Sequence, residues 1–288
     1  MEIAAFHDTD TGTLTYLVWD PATQAAVIID PVLGYDPASG ALSLKSVEDV
    51  ALAARERNLD VHWILETHVH ADHLSGSQFL KERFSKAKLG IGERIGEVQA
   101  LFSSIFGFEG AQKPTAAAFD HVFKDREEFS AGGLRFKVLA TPGHTPACVS
   151  YVVGDAVFTG DALCALDAGT GRCDFPGGDA KTLFHSIHDV LYALPDETRT
   201  FAGHDYRPGG RALLYRSTIG EQKGSNPHLQ AATTEESFVE FRTGRDRGLS
   251  APRLLYPSLH VNLMGGRLPP PDSQGRRFLK LPIFAPAR

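Results

Sequence analysis

Two histidines one residue apart, then an aspartate and a third histidine, crowd the stretch Thr67-His68-Val69-His70-Ala71-Asp72-His73. Imidazole nitrogens and carboxylate oxygens are ligands of first-row transition metals, and a tight loop concentrates them at one point. Three more segments share this character: Thr141-Pro142-Gly143-His144-Thr145, Phe158-Thr159-Gly160-Asp161 and Ala202-Gly203-His204-Asp205. Each follows a strand-like apolar run and contains a glycine at which the backbone can turn sharply. A lone histidine is usually a solvated or core residue. Five of the twelve histidines, joined by Asp72 and Asp161 in four such contexts, read instead as one metal site. Seven donors are compatible with one metal or with two.

A sheet-based frame must bring these donors together. Residues 13–19 and 25–29 read as strands closed by Asp20-Pro21 and Asp30-Pro31, and residues 61–66 as a buried strand that runs straight into the histidine loop. Between them the pattern predicts a helix from Ser46 as N-cap, with Asp49 in a capping-box position, to about Asn58. Its residues Val47, Val50, Ala51 and Ala54 share one face. Helices follow over 77–84 and 93–106; the second carries the stripe Ile95, Val98, Phe102, Ile105, suited to a core or to a homodimer contact. The pattern then gives strands at 134–139 and 149–153 after a turn at Ala131-Gly132-Gly133, a helix over 180–194, a strand at 199–202 and a helix over 233–242. Strands in both halves with helices between predict an α+β chain folded as a four-layer αββα sandwich. Beyond about Gly248 the chain becomes irregular, with Pro252, Pro257 and Pro269-Pro270-Pro271. The expected division is a catalytic domain over 1–248 and a proline-rich segment over 249–288 that packs on it through Phe278, Leu279, Leu281 and Ile283.

The 288 residues, 42% hydrophobic and 22% charged, suffice for a full core, and a net charge of -6 argues against nucleic acid as the main partner. The N-terminal residues show no basic then apolar leader pattern and no apolar run is long enough for a bilayer, so a cytoplasmic protein without membrane attachment is expected. Three cysteines, Cys148, Cys164 and Cys173, make no disulfide framework; the first two read as passive thiols.

With these motifs in this order, the chain resembles the metallo-β-lactamase superfamily over about residues 1–230. The resemblance implies a first metal position at His68, His70 and His144, a second at Asp72, His73 and His204, and Asp161 between them. The absent leader and the absence of a cysteine in place of Asp161 speak against class B β-lactamases. Ribonuclease-type members carry extra domains and basic surfaces that are missing here. Glyoxalase II, a thioester hydrolase with two zinc ions, carries a helical C-terminal domain where this chain has prolines.

The stretch Thr159-Gly160-Asp161-Ala162-Leu163, then Gly171-Arg172-Cys173-Asp174-Phe175-Pro176-Gly177-Gly178-Asp179, Gly203-His204-Asp205-Tyr206 and Asn226-Pro227 more closely resembles the persulfide dioxygenases, also called sulfur dioxygenases. Gly266-Arg267-Leu268-Pro269-Pro270-Pro271 resembles their bacterial, Blh-like branch. That kinship implies one Fe(II) on His68, His144 and Asp161, a 2-His-1-carboxylate triad with open positions. His70, Asp72, His73 and His204 would then be second-sphere residues, or the second metal position of a two-zinc hydrolase. Glutathione persulfide, or a related low-molecular-weight persulfide, and O₂ are the implied reactants, sulfite and the thiol the products.

Arg172 is the candidate for pairing with a substrate anion through its guanidinium fork, against a surface ion pair. By family match Tyr206 would hydrogen-bond the glycyl end of glutathione. Cys173 would meet the persulfide or be oxidised, unless it is a passive buried thiol. Lys223, Arg211 and Arg207 are further candidates for a glutathione carboxylate, while His185 and His188 read as ordinary helix residues.

Overall fold

A computed structural model describes residues 1–284. The chain opens with β1 (Glu2–His7), β2 (Leu14–Trp19), β3 (Ala25–Ile29), β4 (Val32–Asp36) and β5 (Ala41–Ser43), followed by helix α1 (Lys45–Glu56) and β6 (Asp60–Leu65). Next come β7 (Leu74–Ser75), α2 (Ser77–Arg83), β8 (Lys88–Gly92), α3 (Ile95–Phe106) and β9 (His121–Phe123). The second half holds β10 (Glu128–Ala131), β11 (Leu134–Ala140), β12 (Val149–Val153), β13 (Ala156–Gly160), α4 (Ala180–His185), β14 (Arg199–Ala202) and β15 (Arg216–Thr218). Helices α5 (Ile219–Ser225), α6 (Glu235–Asp246) and α7 (Leu255–Asn262) complete it.

One mixed sheet runs β1-β2-β3-β6-β8-β9 and the other β10-β11-β12-β13-β14-β15. In the first, β3, β6, β8 and β9 are mutually parallel; in the second, only β13 and β14 are. The alternation of each strand distributes its side chains between two cores. Tyr16, Val18, Val27, Ile29, Trp63 and Leu65 face Phe136, Val138, Tyr151 and Phe158 between the sheets. Leu17, Ile28 and Ile64 point the other way, into a cluster with Val47, Val50, Ala51 and Ala54 of α1 and Val98 and Phe102 of α3. Behind the second sheet, Val157 packs with Leu183, Ile187, Ile219 and Phe238. Three apolar interfaces between two sheets and two helical layers make the αββα sandwich that the pattern predicts.

Several local expectations change. Helix α1 begins at Lys45, with Leu44 as cap residue and no side-chain cap; Ser46 instead donates its hydroxyl to Asp8 Oδ2 at 2.7 Å. Tertiary contact with the β1–β2 turn wins over the local capping pattern. The stripe on α3 faces this chain's own core, with Ile95, Val98 and Phe102 buried and Ile105 partly buried against the same cluster. The helix after Asp179 changes after His185 into a π-helical stretch, Ser186–Leu191. His185 and His188 on it bond to Asp189 and lie outside the metal cluster.

The C-terminal region departs most. It contains a helix, α7, whose Pro257 falls in the first turn, where its missing N–H removes no helical bond. Leu259, Val261 and Leu263 enter the same cluster as α1 and α3. Of the four residues expected to anchor the tail, Leu279 packs on that cluster, while Phe278, Leu281 and Ile283 are exposed.

Candidate metal centre

The four donor segments meet where strand ends of both sheets converge. Leu65, the last residue of β6, is followed by the histidine loop; His144 lies between β11 and β12, Asp161 follows β13, and His204 comes two residues after β14. Backbone bonds tie these ends together, across the sandwich from Val149 N to Thr67 O at 2.9 Å and from Leu14 N to Gly203 O at 2.8 Å, and within the second sheet from Gly203 N to Gly160 O at 3.1 Å. Two tyrosines of the inter-sheet core add their hydroxyls, Tyr16 to Ala202 O at 2.6 Å and Tyr151 to Glu66 O at 2.9 Å. The glycines are needed by close approach. Gly143 has φ +133°, and a Cβ there would lie 2.4 Å from the Leu183 backbone; a Cβ on Gly203 would press on Asp161 Oδ1 at 2.8 Å.

His68, His144 and Asp161 bring their ligand atoms within 4.8 Å of one another, as do His70, Asp72 and His73. Asp161 Oδ2 is 3.5 Å from His144 Nε2 and 4.0 Å from His68 Nε2. Donors about 2.0–2.2 Å from one ion stand roughly 3–3.5 Å apart, so a small inward adjustment closes this set. His204 Nε2 lies 3.3 Å from Asp161 Oδ1 and 3.4 Å from Asp72 Oδ2, joining the two groups.

Ring orientation is fixed from behind. His144 Nδ1 donates to the Arg172 carbonyl at 2.7 Å and His73 Nδ1 to the Leu74 carbonyl at 3.0 Å, leaving each Nε2 with its lone pair forward. His68 Nε2, His73 Nε2, His204 Nε2 and Asp161 Oδ1 are buried without a hydrogen-bond partner. Orphaned acceptors of this kind are costly unless something outside the protein satisfies them, and a cation held by the His68, His144 and Asp161 group would do so for His68 and Asp161. The donor chemistry therefore fits a first-row metal.

Electrostatics agree. Burial, then the neighbouring histidines, push His68 well below the ordinary imidazole value, and His73 falls to about 4 for the same reasons. Burial opposes the charge of Asp72, but His204, His73 and His70 prevail and hold it at about 2. Neutral imidazoles and an ionised carboxylate are the ligand forms that cations require. His70 is different. Its Nε2 stands 3.1 Å from Asp30 Oδ1 and 3.5 Å from Glu66 Oε2, and these two buried acids raise it to about 10 against the effect of burial. Asp30 also accepts from Thr67 N at 2.7 Å and Thr67 Oγ1 at 2.8 Å, so one carboxylate shapes the start of the loop and engages its second histidine.

Asn262 of α7 clamps the loop from outside. Its Nδ2 donates to the carbonyls of His70 at 2.9 Å and His73 at 2.8 Å, and its Oδ1 accepts from Ser75 N at 2.8 Å. Asn262→Ala is expected to destabilise the protein by about 2–4 kcal/mol, because three buried backbone groups lose their partner. Urea denaturation measures this; a loss below about 1 kcal/mol would contradict the clamp.

A cleft of about 800 Å³ opens over the metal donors and is lined by Asp72, His144, Asp161 and His204. Arg172 and Tyr206 line it as expected, but their roles shift. The Arg172 fork is closed on Asp174, with Nε and Nη2 each 2.6 Å from a carboxylate oxygen, and lies over the Phe175 ring. A carboxylate two residues away takes the planar fork locally, so its contribution to the centre is the carbonyl that holds His144. Tyr206 is 67% exposed at the rim and stacks on His204, ring centroids 5.5 Å apart. Cys173 is buried, burial pushes its thiol well up, and it is no thiolate. Cys164, not Cys173, lines the cleft. Lys223 pairs with Asp196 and Arg211 with Asp167 and Asp205, while Arg207 bonds a backbone carbonyl; none of the three lines the cleft. The cleft arginines are Arg242, Arg245 and Arg253 beside Arg172, all three carried by a part of the chain whose pattern gave no sign of them.

Behind one wall, α6 grips the loop at 170–173. Buried Arg242 pairs with Asp246 and donates Nη1 to Thr170 O at 3.1 Å, while Asp246 Oδ2 accepts from Cys173 N at 2.8 Å. The same loop gives Arg172 O to His144 and Gly171 N to Asp161 O at 3.0 Å. His228 accepts from Thr170 N at 3.0 Å, and burial followed by Arg242 and Arg245 lowers it to about 4. The unfolded chain, with imidazole near 6.5, takes up this proton first, so the stabilisation is complete above 6.5 and disappears as pH falls to about 4. Allowing for the solvent that reaches the ring, acidification is expected to remove about 1–2 kcal/mol through this group. His228→Gln should flatten that limb of the stability curve; an unchanged slope would contradict it.

A layered αββα sandwich with this donor order defines a metal-dependent protein of one class, and the family model for the metallo-beta-lactamase superfamily matches residues 8–204. The chain belongs to that superfamily. It is 47% identical over 281 residues to a beta-lactamase hydrolase-like protein of Agrobacterium fabrum, covering 98% of this chain and 64% of that one. It thus spans about two thirds, 64–65%, of the length of the first such relatives. It is 41% identical to Glyoxylase B2 of Dictyostelium discoideum, covering 98% of this chain and 97% of that one. To the mitochondrial persulfide dioxygenase ETHE1 of Homo sapiens it is 34% identical, covering 79% and 75%. The crystal structure of ETHE1 from Myxococcus xanthus superposes with a TM-score of 0.74 at 34% identity, covering 93% of this chain and all of that one. Among the described residues no helix is long and apolar enough to cross a membrane.

Proposed function

We propose that this chain is a non-haem Fe(II) persulfide dioxygenase that converts glutathione persulfide, O₂ and water to glutathione and sulfite. The observation that carries the reading is the division of the donors. His68, His144 and Asp161 converge as a 2-His-1-carboxylate set, while His70 is engaged by Asp30 and Glu66. Bound Fe(II) would supply one-electron redox chemistry and adjacent open positions, neither of which a four-coordinate Zn²⁺ offers.

The chain's own residues do the rest. The Arg172 carbonyl sets the His144 ring, and Gly171 N–H anchors Asp161. His204 Nε2 stands between Asp161 and Asp72 and links the two donor groups at the edge of the cleft. Phe175 meets His144 edge-on, with centroids 5.6 Å apart, and gives the persulfide sulfur an apolar wall. The cleft is open to solvent at its mouth, where the water that releases sulfite enters.

The rival reading, a two-zinc thioester hydrolase, is favoured by the second group His70, Asp72 and His73. Parallel assays separate them. The dioxygenase consumes O₂ and forms sulfite in equal amounts when given glutathione persulfide; the hydrolase cleaves S-lactoylglutathione and leaves O₂ untouched.

A further inference from the structure

Beside the metal donors lies a second, apolar space. Val98 and Phe102 of α3, Leu255 and Leu259 of α7, and Val69 and Ala71 of the histidine loop surround it. It leaves about 10 Å³ of freedom for the centre of a water-sized sphere, which is room for one small molecule. The polar side chains on its wall are turned elsewhere. His144 gives Nδ1 to Arg172 O and directs Nε2 at Asp161, while Thr145 meets Cys148 Sγ with its N–H at 3.3 Å and its hydroxyl at 3.1 Å. Pro146 and Pro176 complete the wall and carry no N–H. A water here would find too few partners, whereas a small apolar molecule needs none. Ala71, His144 and Phe175 line both this cavity and the metal cleft, so their side chains form the partition between the two. On the outer side the lining reaches the surface at exposed Pro176 and half-buried Leu255, neither of which lines the cleft. Gly177 keeps this lip tight, since a Cβ there would lie 2.8 Å from the Pro146 ring.

We infer that this cavity is an O₂ site, an antechamber from which the gas reaches the metal donors on the α3–α7 side while the persulfide enters by the polar cleft. The site deepens the proposed function and rests on O₂ being a reactant at His68, His144 and Asp161. O₂ is small, uncharged and apolar, so it moves from water into apolar surroundings. A charged thiol derivative does the reverse, and it is too large for a space that admits one small molecule. The two reactants therefore do not compete for one entrance, and a persulfide seated in the cleft leaves the second path open.

Two substitutions close the cavity without touching a donor: Val98→Leu narrows it from within, and Leu255→Trp covers its outer lip. Crystals of the wild type and both variants are pressurised with xenon, an inert apolar atom that occupies dry cavities. The Fe(II)-loaded proteins are then assayed with glutathione persulfide at varied O₂. The expected result is xenon between α3 and α7 in the wild type and little in the variants. KM for O₂ should be at least about fivefold higher in each variant, with kcat at saturating O₂ and KM for the persulfide unchanged. Melting curves verify folding, and Leu255→Ala, which opens the lip, should keep the wild-type KM for O₂. The inference is overturned if xenon enters only the polar cleft, if KM for O₂ does not move, or if KM for the persulfide rises instead, which would make the cavity part of the persulfide site. Xenon binding requires no iron, so the two claims separate. Xenon in the cavity with no O₂ uptake by the wild type refutes the dioxygenase alone; uptake with an unmoved KM for O₂ refutes the antechamber alone.

Discussion

Replacing His144 by alanine is expected to yield a folded chain that loses its metal, with apparent affinity reduced by more than about 100-fold and turnover reduced with it. Disturbing a group behind a ligand already weakens metal binding by about 10–100-fold, so removing the ligand must exceed that. His144 is well placed for so large an effect: its Nδ1 is held by the Arg172 carbonyl at 2.7 Å and its Nε2 stands 3.5 Å from Asp161 Oδ2. His188→Ala is the matched control, because that ring sits on the surface with Asp189 as its partner. Metal content after gel filtration, read against the metal-free melting temperature, separates lost binding from lost folding. A His144→Ala protein that keeps its full metal content would remove this residue from the site.

The second large effect is expected far from any ligand. Asp246→Ala leaves the buried Arg242 guanidinium without its countercharge, and breaking a buried pair from one side costs about 3–5 kcal/mol. It also frees Cys173 N, so the loop that positions Arg172 O and Gly171 N loosens and metal release to a chelator accelerates by about 10–100-fold. The double replacement Arg242→Met with Asp246→Leu distinguishes the two consequences. Removing both charges should restore most of the stability, since apolar pairs of similar volume are tolerated there. Metal release should remain fast, because the bond to Cys173 N is still missing. Wild-type stability of Asp246→Ala, or slow metal release from the double variant, would show that α6 does not brace the centre.

The residues that these experiments address were not equally visible in the sequence. The seven donors were, because histidine and aspartate declare their chemistry by type, each segment follows a strand-like run, and three of the four contain a glycine. Strands β3 and β12 were legible to the residue, since apolar runs covered on both faces leave no ambiguity of period. Ser46 misled because a distant carboxylate, Asp8, competes for the hydroxyl that would cap α1. The prolines after Gly248 masked α7, as composition does not say that Pro257 falls in a first turn. Asn262 was invisible for a deeper reason: its partners His70 and His73 lie 192 and 189 residues earlier, and nothing local marks an asparagine as a loop clamp. Asp30, read as the end of a strand, and Arg242, read as the end of a helix, are likewise informative only once folding has placed them. Arg172 shows the converse, a residue correctly located at the cleft whose guanidinium is already engaged by Asp174.

The central claim is that this cleft runs oxygen chemistry on a single redox-active metal, and reconstitution tests it most directly. Metal-free chain is loaded anaerobically with Fe(II) or with Zn(II), its metal content is measured, and each form is given glutathione persulfide in an oxygen electrode. The account predicts one iron per chain, with O₂ uptake and sulfite from the iron form only. Two zinc ions per chain, thioester cleavage, and no O₂ uptake from either form would contradict it.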